Sequence, residues 1–383
     1  MKEKIHILHV SKSSGGVGTY TRRLVNALDR NRYQFTVVCL AEGCEKMAHD
    51  LSKLEGVDAI AIPMSDGIEP FSDISICFKL AKIIRKNKFD LIHAHTSKPG
   101  FFARLANIGT GVPVIYRPAS FAFHENAPRL QANVYAILER LAARFLTEKI
   151  VAVCNGEREL ARLYSVGTEG QFVVIHTGID IQPFDLQVDR EELRKGFGIP
   201  SNVCVLGTVA RLSEQKAPED FIKAASIAHA NLPDLHFLWV GDGPLEDSAR
   251  ALVSSLGLDG VFHFAGHQTE IPKMLKIMDC FVLSSHWEGF SIAVLESMAA
   301  GLPVISTRVT GAAEAVVDGE TGLLVEIGDV DGLAQAMEKI VRTPGMLKSM
   351  STAARKRAET VFPYSKMLLK IEDLYSKVLS LEN

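Results

Sequence analysis

The chain has 383 residues, 47% hydrophobic and 23% charged, with a formal net charge of −3. This composition is close to the soluble globular average and excludes a disordered, collagen-like or coiled-coil chain, while the near-neutral charge leaves no global nucleic-acid footprint. At roughly 150 residues per domain, the length points to two or three domains.

The opening MKEKIHILHV carries an apolar run from Ile5 to Val10. The run is shorter than a secretory core and no small-x-small site follows it, so a buried first strand is expected. No window approaches the roughly 18 apolar residues of a spanning helix. A helical stretch then ends near Asp29, and QFTVVCL (34–40) leads to a helix near 44–54. VDAIAIP (57–63) precedes a helix over 72–88, and DLIHAH (90–95), VPVIY (112–116), EKIVAVC (148–154) and FVVIH (172–176) follow. A second series begins with VCVLGTV (203–209) and continues with HFLWVG (236–241), VFHFAG (261–266), CFVLSS (280–285), LPVIST (302–307) and GLLVEI (322–327). Alternation of this kind predicts parallel sheets with helices on both faces. Between the two series lies a polar, turn-rich segment at 180–200. Domains are therefore expected over 1–182 and 183–363. Tyr364–Leu381 is a helical pattern with no strand after it, so it need not belong to the domain before it. Two doubly wound sheets would leave a cleft at the carboxyl ends of their strands, where such sheets bind ligands.

Residues 1–182 carry 23 Lys and Arg against 18 Asp and Glu, and the remainder 19 against 27. The basic first half suits an anionic partner, or simply solvated helix surfaces. None of the six cysteines forms a C-x-x-C pair, and most sit in strand-like runs, so a reduced, cytosolic protein without cysteine-bound zinc is expected.

Three motifs could carry chemistry. In SSGGVGTYTRRL, Gly15, Gly16 and Gly18 follow the first strand and allow either a plain turn or close approach of a phosphate to a helix start. In GTVARLSEQKAPEDFIKA (207–224), Arg211 and Lys216 stand past a strand end. There they are solvated cations or a fork and a point charge for a diphosphate. HWEGFSIAVLESMAAGLPVIST (286–307) is the most specific. Ser291 is placed to cap a helix, Glu288 precedes it and Glu296 lies in its second turn, so the two acids are either a capping-type pair or hydroxyl acceptors for one ligand. His93 and His95 point to one face of a strand, with no third metal ligand identifiable. Asp329-Val-Asp331 spells D-x-D at a helix start, where Asp caps.

The E-x7-E of Glu288 and Glu296, the ARLSEQK segment, WVGDGPLE (239–246), the GGVGTYTRRL loop, DLIHAHTSKPG and VIHTGID (174–180) resemble the retaining glycosyltransferases of family 4, essentially end to end. The resemblance implies a GT-B fold: two Rossmann-like domains facing across a cleft, with the last helix (364–383) crossing back to the first. It implies a donor site in which Arg211 and Lys216 bind the diphosphate and Glu296 holds the ribose. Glu288, Gly289, Phe290, Ser291 and Ile292 would contact sugar and phosphate. Gly241 would lie in the donor site, His267 and Ile271 in the base-binding loop, and Gly16 would approach the phosphate from the other domain. Many relatives carry T-x-H-G after the fifth strand. Here the stretch is RPASFAFHENAP, with Ala119 at the histidine position and His124 five residues on. His124 is either a catalytic-site residue or a loop histidine.

The expectation is a cytoplasmic, peripheral enzyme of the inner membrane face that moves a hexose or N-acetylhexosamine from a nucleotide-diphosphate sugar, UDP favoured, to a glycan or lipid-linked acceptor of cell-surface polysaccharide. No cofactor, metal or nucleic acid is expected. A nucleotide-sugar epimerase or a non-catalytic donor-binding subunit would share the fold.

Overall fold

Each predicted strand is a short β-branched run that must be covered on both faces, and each lies in a parallel sheet. A computed structural model describes residues 4–124 and 127–380. The described chain divides into two units, one running to His176 and resuming at Ser365, the other spanning Thr177–Tyr364. The expected division at 182 lies a few residues into the second unit.

The first unit contains β1 (Ile5–Lys12), α1 (Gly15–Ala27), β2 (Tyr33–Leu40), α2 (Glu45–Ser52), β3 (Val57–Ile62), α3 (Pro70–Lys86), β4 (Leu91–His95), α4 (Ser97–Ala106), β5 (Val114–Arg117), α5 (Arg129–Leu146), β6 (Lys149–Ala152), α6 (Asn155–Leu163) and β7 (Phe172–Val174). Its sheet runs β3-β2-β1-β4-β5-β6-β7, all parallel. The winding reverses at β1/β4. With right-handed crossovers this puts α1 and α2 on one face and α3, α4, α5 and α6 on the other. The core agrees: Leu8, Val10, Ile92 and Tyr116 pack with Leu80 of α3, Ala103 of α4, Ala136 of α5 and Ala161 of α6.

The second unit contains α7 (Arg190–Gly196), β8 (Cys204–Val209), α8 (Pro218–Asn231), β9 (Leu235–Val240), α9 (Glu246–Ser255), β10 (Phe262–Gly266), α10 (Ile271–Ile277), β11 (Cys280–Leu283), α11 (Ile292–Ala299), β12 (Val304–Thr307), α12 (Ala312–Ala315), β13 (Gly322–Val325), α13 (Val330–Arg342) and α14 (Met346–Val361). The order β10-β9-β8-β11-β12-β13 again reverses direction in the middle, between β8 and β11. The last helix, α15 (Tyr364–Val378), rejoins the first unit almost from its start, and Tyr375 donates to or accepts from His93 at 2.7 Å. Leu381, the expected end of that helix, lies outside the described residues.

All six cysteines are free thiols, four of them buried. Among the described residues no helix is long and apolar enough to cross a membrane. Asp329 accepts from the Gly332 amide at 2.8 Å, so the first aspartate of D-x-D caps α13.

One polar group inside the first unit is fully committed. Arg104 of α4 is 0% exposed and grips Glu139 of α5 through two bonds of 2.9 Å, while the Tyr116 hydroxyl donates to the same carboxylate at 3.0 Å. Removing one partner of such a pair leaves an uncompensated buried charge. Glu139→Ala should therefore lower unfolding free energy by roughly 3–5 kcal/mol, read from urea denaturation.

Candidate functional site

In the second unit the two motifs that looked separate in the sequence meet. β8 ends at Val209 and leads through Arg211 to a 3-10 turn, Glu214–Lys216, and then to Ala217. Ala217 has φ 46°, a left-handed conformation that a residue with a Cβ adopts only at a cost. Its geometry is held from the neighbouring strand: the Ser284 hydroxyl donates to the carbonyls of Lys216 and Ala217 at 2.8 and 3.0 Å. The His286 amide donates to Gln215 at 2.9 Å, and the Gln215 side chain returns a bond to the Trp287 carbonyl at 3.0 Å. His286 also bonds Asp220 of α8 at 2.7 Å. Across this seam Lys216 Nζ forms an ion pair with Glu288 Oε1, which also accepts from the Ser285 hydroxyl at 2.9 Å. The pair is half-buried, with side-chain exposures of 17% and 8%.

The other loops at the same sheet edge are tied in. Trp239 Nε1 and the Ala210 carbonyl bond at 2.9 Å, and Leu212 donates to Asp242 at 2.8 Å. A Cβ at Gly241, whose φ is +133°, would meet the Ala210 carbonyl, so only glycine lets the β9 loop lie on the Arg211 segment. The Gly241 amide donates to Gly266 at 2.8 Å, bringing in the loop of His267 and Ile271. His267 is exposed there, and Ile271 opens α10. On the far side, Thr307 of β12 donates to the Ser285 carbonyl at 2.6 Å. Gly311 then packs so closely that a Cβ would strike the Gly289 carbonyl and the Phe290 backbone.

Ser291 takes the N-cap position of α11 with extended backbone, but its side chain makes no capping bond, which corrects the expected role. Ile292 is the first residue of that helix, and Glu296 sits in its second turn, buried. Arg211 is exposed. The second unit thus brings Arg211, Lys216, Gly241, Glu288, Gly289, Phe290, Ser291 and Ile292 to loops and helix starts at one sheet edge, around the winding reversal, where open parallel sheets bind ligands. The sequence assigned no supporting role to Gln215, Ser285, Thr307 or Gly311: the polar ones resemble any residues at strand ends and turns, and Gly311 has an ordinary φ.

The remaining candidates lie in the first unit. Gly16 is exposed in the first turn of α1. His124 is half-buried between β5 and α5, and its burial lowers the imidazole pKa. It follows Ala119 (φ 58°) and Ser120 (φ 130°), two non-glycine residues in the left-handed region, so the stretch that departs from T-x-H-G is also a strained one.

The sequence offered His93 and His95 without a third ligand. The sheet register supplies one, His9, opposite His93. All three are buried, with ligand atoms within 4.8 Å of one another. His9 Nδ1 and His95 Nε2 face each other at 3.0 Å with ring planes 8° apart, so one donates to the other. Burial, with Arg30 adding to it, pushes the His9 pKa down to about 3, and burial holds His93 and His95 well below the usual range, reinforced by neighbouring histidines and Arg117.

Residues 189–357 match the family model described as Glycosyl transferases group 1, and residues 15–178 match the Glycosyl transferase 4-like domain. Over 97% of both chains the protein is 30% identical to UDP-Gal:alpha-D-GlcNAc-diphosphoundecaprenol alpha-1,3-galactosyltransferase of Escherichia coli. It is 26% identical to the capsular polysaccharide biosynthesis glycosyltransferase CapM of Staphylococcus aureus, over 86% of this chain and 88% of that one. Its fold is shared with HepE of Anabaena, solved in complex with UDP and glucose, at TM-score 0.83 and 20% identity over 97% of this chain and 100% of that one. It is also shared with sucrose-phosphate synthase of Thermosynechococcus elongatus, at TM-score 0.79 and 19% identity over 99% and 100%.

Two outcomes follow from these geometries. Gly311→Ala should push the Gly289–Phe290 backbone away and reduce ligand affinity at this edge at least tenfold, measured by calorimetry with UDP. For His9, the unfolded chain binds a proton below about pH 6.5 that the folded chain refuses until about 3, so stability falls as pH drops through that window. His9→Gln should flatten the slope of unfolding free energy between about pH 6 and pH 4 by about 1.4 kcal/mol per pH unit, measured by urea titrations.

Proposed function

The chain belongs to glycosyltransferase family 4 and has the GT-B fold, and on that premise we propose how it handles its donor, its leaving group and its acceptor. It is a glycosyltransferase acting on nucleotide sugars in polysaccharide or glycolipid synthesis. The proposed donor is a UDP-hexose or UDP-N-acetylhexosamine. Supporting this are the UDP-Gal named for the Escherichia coli relative and the UDP and UDP-glucose held by HepE. The proposed acceptor is lipid-linked, as the diphosphoundecaprenol of that relative suggests, and a place for the enzyme at the cytoplasmic face of the membrane is proposed with it.

The observation that carries the reading is the seam between the β8 and β11 loops, where Lys216 is fixed against Glu288 beside the start of α11. Breaking a glycosyl–phosphate bond leaves charge on the departing diphosphate as the sugar turns oxocarbenium-like. Lys216 as a point charge, Arg211 as a fork and the backbone amides of Gly289, Phe290 and Ser291 are donors held where that charge develops. Glu288, tethered by Lys216 and Ser285, accepts from the sugar hydroxyls, and Glu296 takes the ribose. Gly241, His267 and Ile271 flank the base. With cations and amides in these roles the transfer needs no metal. The family resemblance implies retention of the anomeric configuration, and with no protein nucleophile assigned the proposed route to it is attack by the acceptor from the face the leaving group vacates. Gly16 and His124 are assigned to the phosphate and acceptor sides.

Several kcal/mol of leaving-group stabilisation corresponds to a rate gain of about 10³ or more. Arg211→Ala and Lys216→Ala should each lower turnover at least tenfold; the thermal midpoint should stay near that of the parent for the exposed Arg211 and fall for Lys216, whose loss leaves Glu288 unpaired. A thermal-shift screen of UDP-, GDP- and ADP-sugars should single out a UDP-sugar. A product anomer opposite to the donor's, seen by NMR, would reverse the stereochemical assignment.

A further inference from the structure

Two helices of the first unit turn large apolar side chains outward. α5 sets small residues inward, Ala132, Ala136, Ala142 and Ala143, and leaves Leu130, Val134, Ile137, Leu138, Leu141 and Phe145 exposed. At 3.6 residues per turn these six share an arc of roughly 100°. α3 buries Ile76, Leu80 and Ile84 and exposes Phe71 (92%), Ile74 and Phe78 (72%), one to two turns apart on the opposite side. Both helices cover the same face of the sheet, and α4 packs against both. A helix of a globular unit normally points such residues at the core, and these two apolar stripes, flanking α4 on one face of the unit, mark an interaction surface.

The exposed charges carried by the two helices themselves have one sign, although Glu69, just before α3, is an exposed acid. The only acid of α5, Glu139, is spent inside on Arg104, so the exposed charges are Arg129, Arg140 and Arg144. The only acid of α3, Asp73, pairs with Lys98 at 2.8 Å, and the exposed charges of α3 are Lys79, Lys82, Arg85 and Lys86. On α5 the arginines lie along one border of the apolar arc, where long stems can lie on an apolar surface while the guanidinium reaches outward. A second copy of this chain set on the patch would oppose cation to cation. A bilayer with anionic headgroups matches both features: its acyl boundary takes the leucine and phenylalanine side chains, and its phosphates take the Lys and Arg.

We infer that α3 and α5 form a docking surface for the interface of an anionic lipid bilayer. The inference deepens the reading of a lipid-linked acceptor, on which its purpose rests, although docking itself requires no sugar.

The full chain is mixed with vesicles of phosphatidylglycerol and phosphatidylcholine at 1:3, and with vesicles of phosphatidylcholine alone, and co-sedimentation is measured. At least tenfold stronger partition onto the anionic vesicles is expected, falling as salt rises. Leu138→Ser/Leu141→Ser/Phe145→Ser should lose at least tenfold. Arg140→Gln/Arg144→Gln should lose severalfold on the anionic vesicles alone. The thermal shift given by UDP reports that each variant remains folded. Equal partition onto both vesicle types, or undiminished binding by the serine variant, overturns the inference. So does a parent that sediments as a dimer, becomes a monomer on serine substitution and is captured by neither vesicle. Vesicle binding without any donor-induced thermal shift would instead sink the donor reading and leave the docking surface standing.

Discussion

The ion pair between Lys216 and Glu288 holds together the part of the molecule on which its chemistry depends. The two residues are 72 positions apart and arrive on neighbouring strands that wind in opposite directions. The backbone of the β8 loop and the α11 start is already tied by Ser284, Gln215 and His286; the pair adds a fixed position for the Lys216 ammonium. With it, and with the serine and threonine hydroxyls that stitch the backbone beneath, a cation stands at a fixed place before any ligand arrives. Such preorganisation spares the cost of gathering charges during reaction. In the proposed donor site it would also temper affinity, because an incoming diphosphate would meet a lysine already partly neutralised. A site of this type favours positioning over tight ground-state binding, which suits an enzyme that must release its nucleotide.

Much of this architecture could be read from residue order. The β-branched runs matched observed strands, usually to within a residue or two, because a strand covered on both faces cannot hide its composition. Glu288 and the two cations fell on loops past strand ends, with Glu296 in the helix that follows, because strand ends are visible as the points where apolar runs stop. What could not be read were properties that need a neighbour. His9 joins His93 and His95 only through the pairing of β1 with β4. The requirement for Gly311 is a contact with the Gly289 backbone, and its own dihedrals give no sign of it. Ser291 stands at a helix start but does not cap it, since the composition of a position does not say where its hydroxyl turns.

α5 is the most instructive case. Its apolar stripe, taken by periodicity alone, would be assigned to the core, and the alanines to solvent. The structure has them the other way round, because α5 packs its alanine side against α4 and the core. Periodicity finds the stripe and is silent on which side of the helix is covered.

That inversion gives a second meaning to Glu139. A helix backed mainly by alanines presents a smooth inner surface, with Tyr135 as its one large side chain packed on the core, and little in that surface opposes a roll about the helix axis. Glu139 is a single key on that surface, seated between Arg104 and Tyr116. Rolling would pull a carboxylate out of a slot lined by a guanidinium with no other acid beside it on α4 or α5. The rotational setting of α5, and so the direction in which its leucines face, is locked from within by one buried charge.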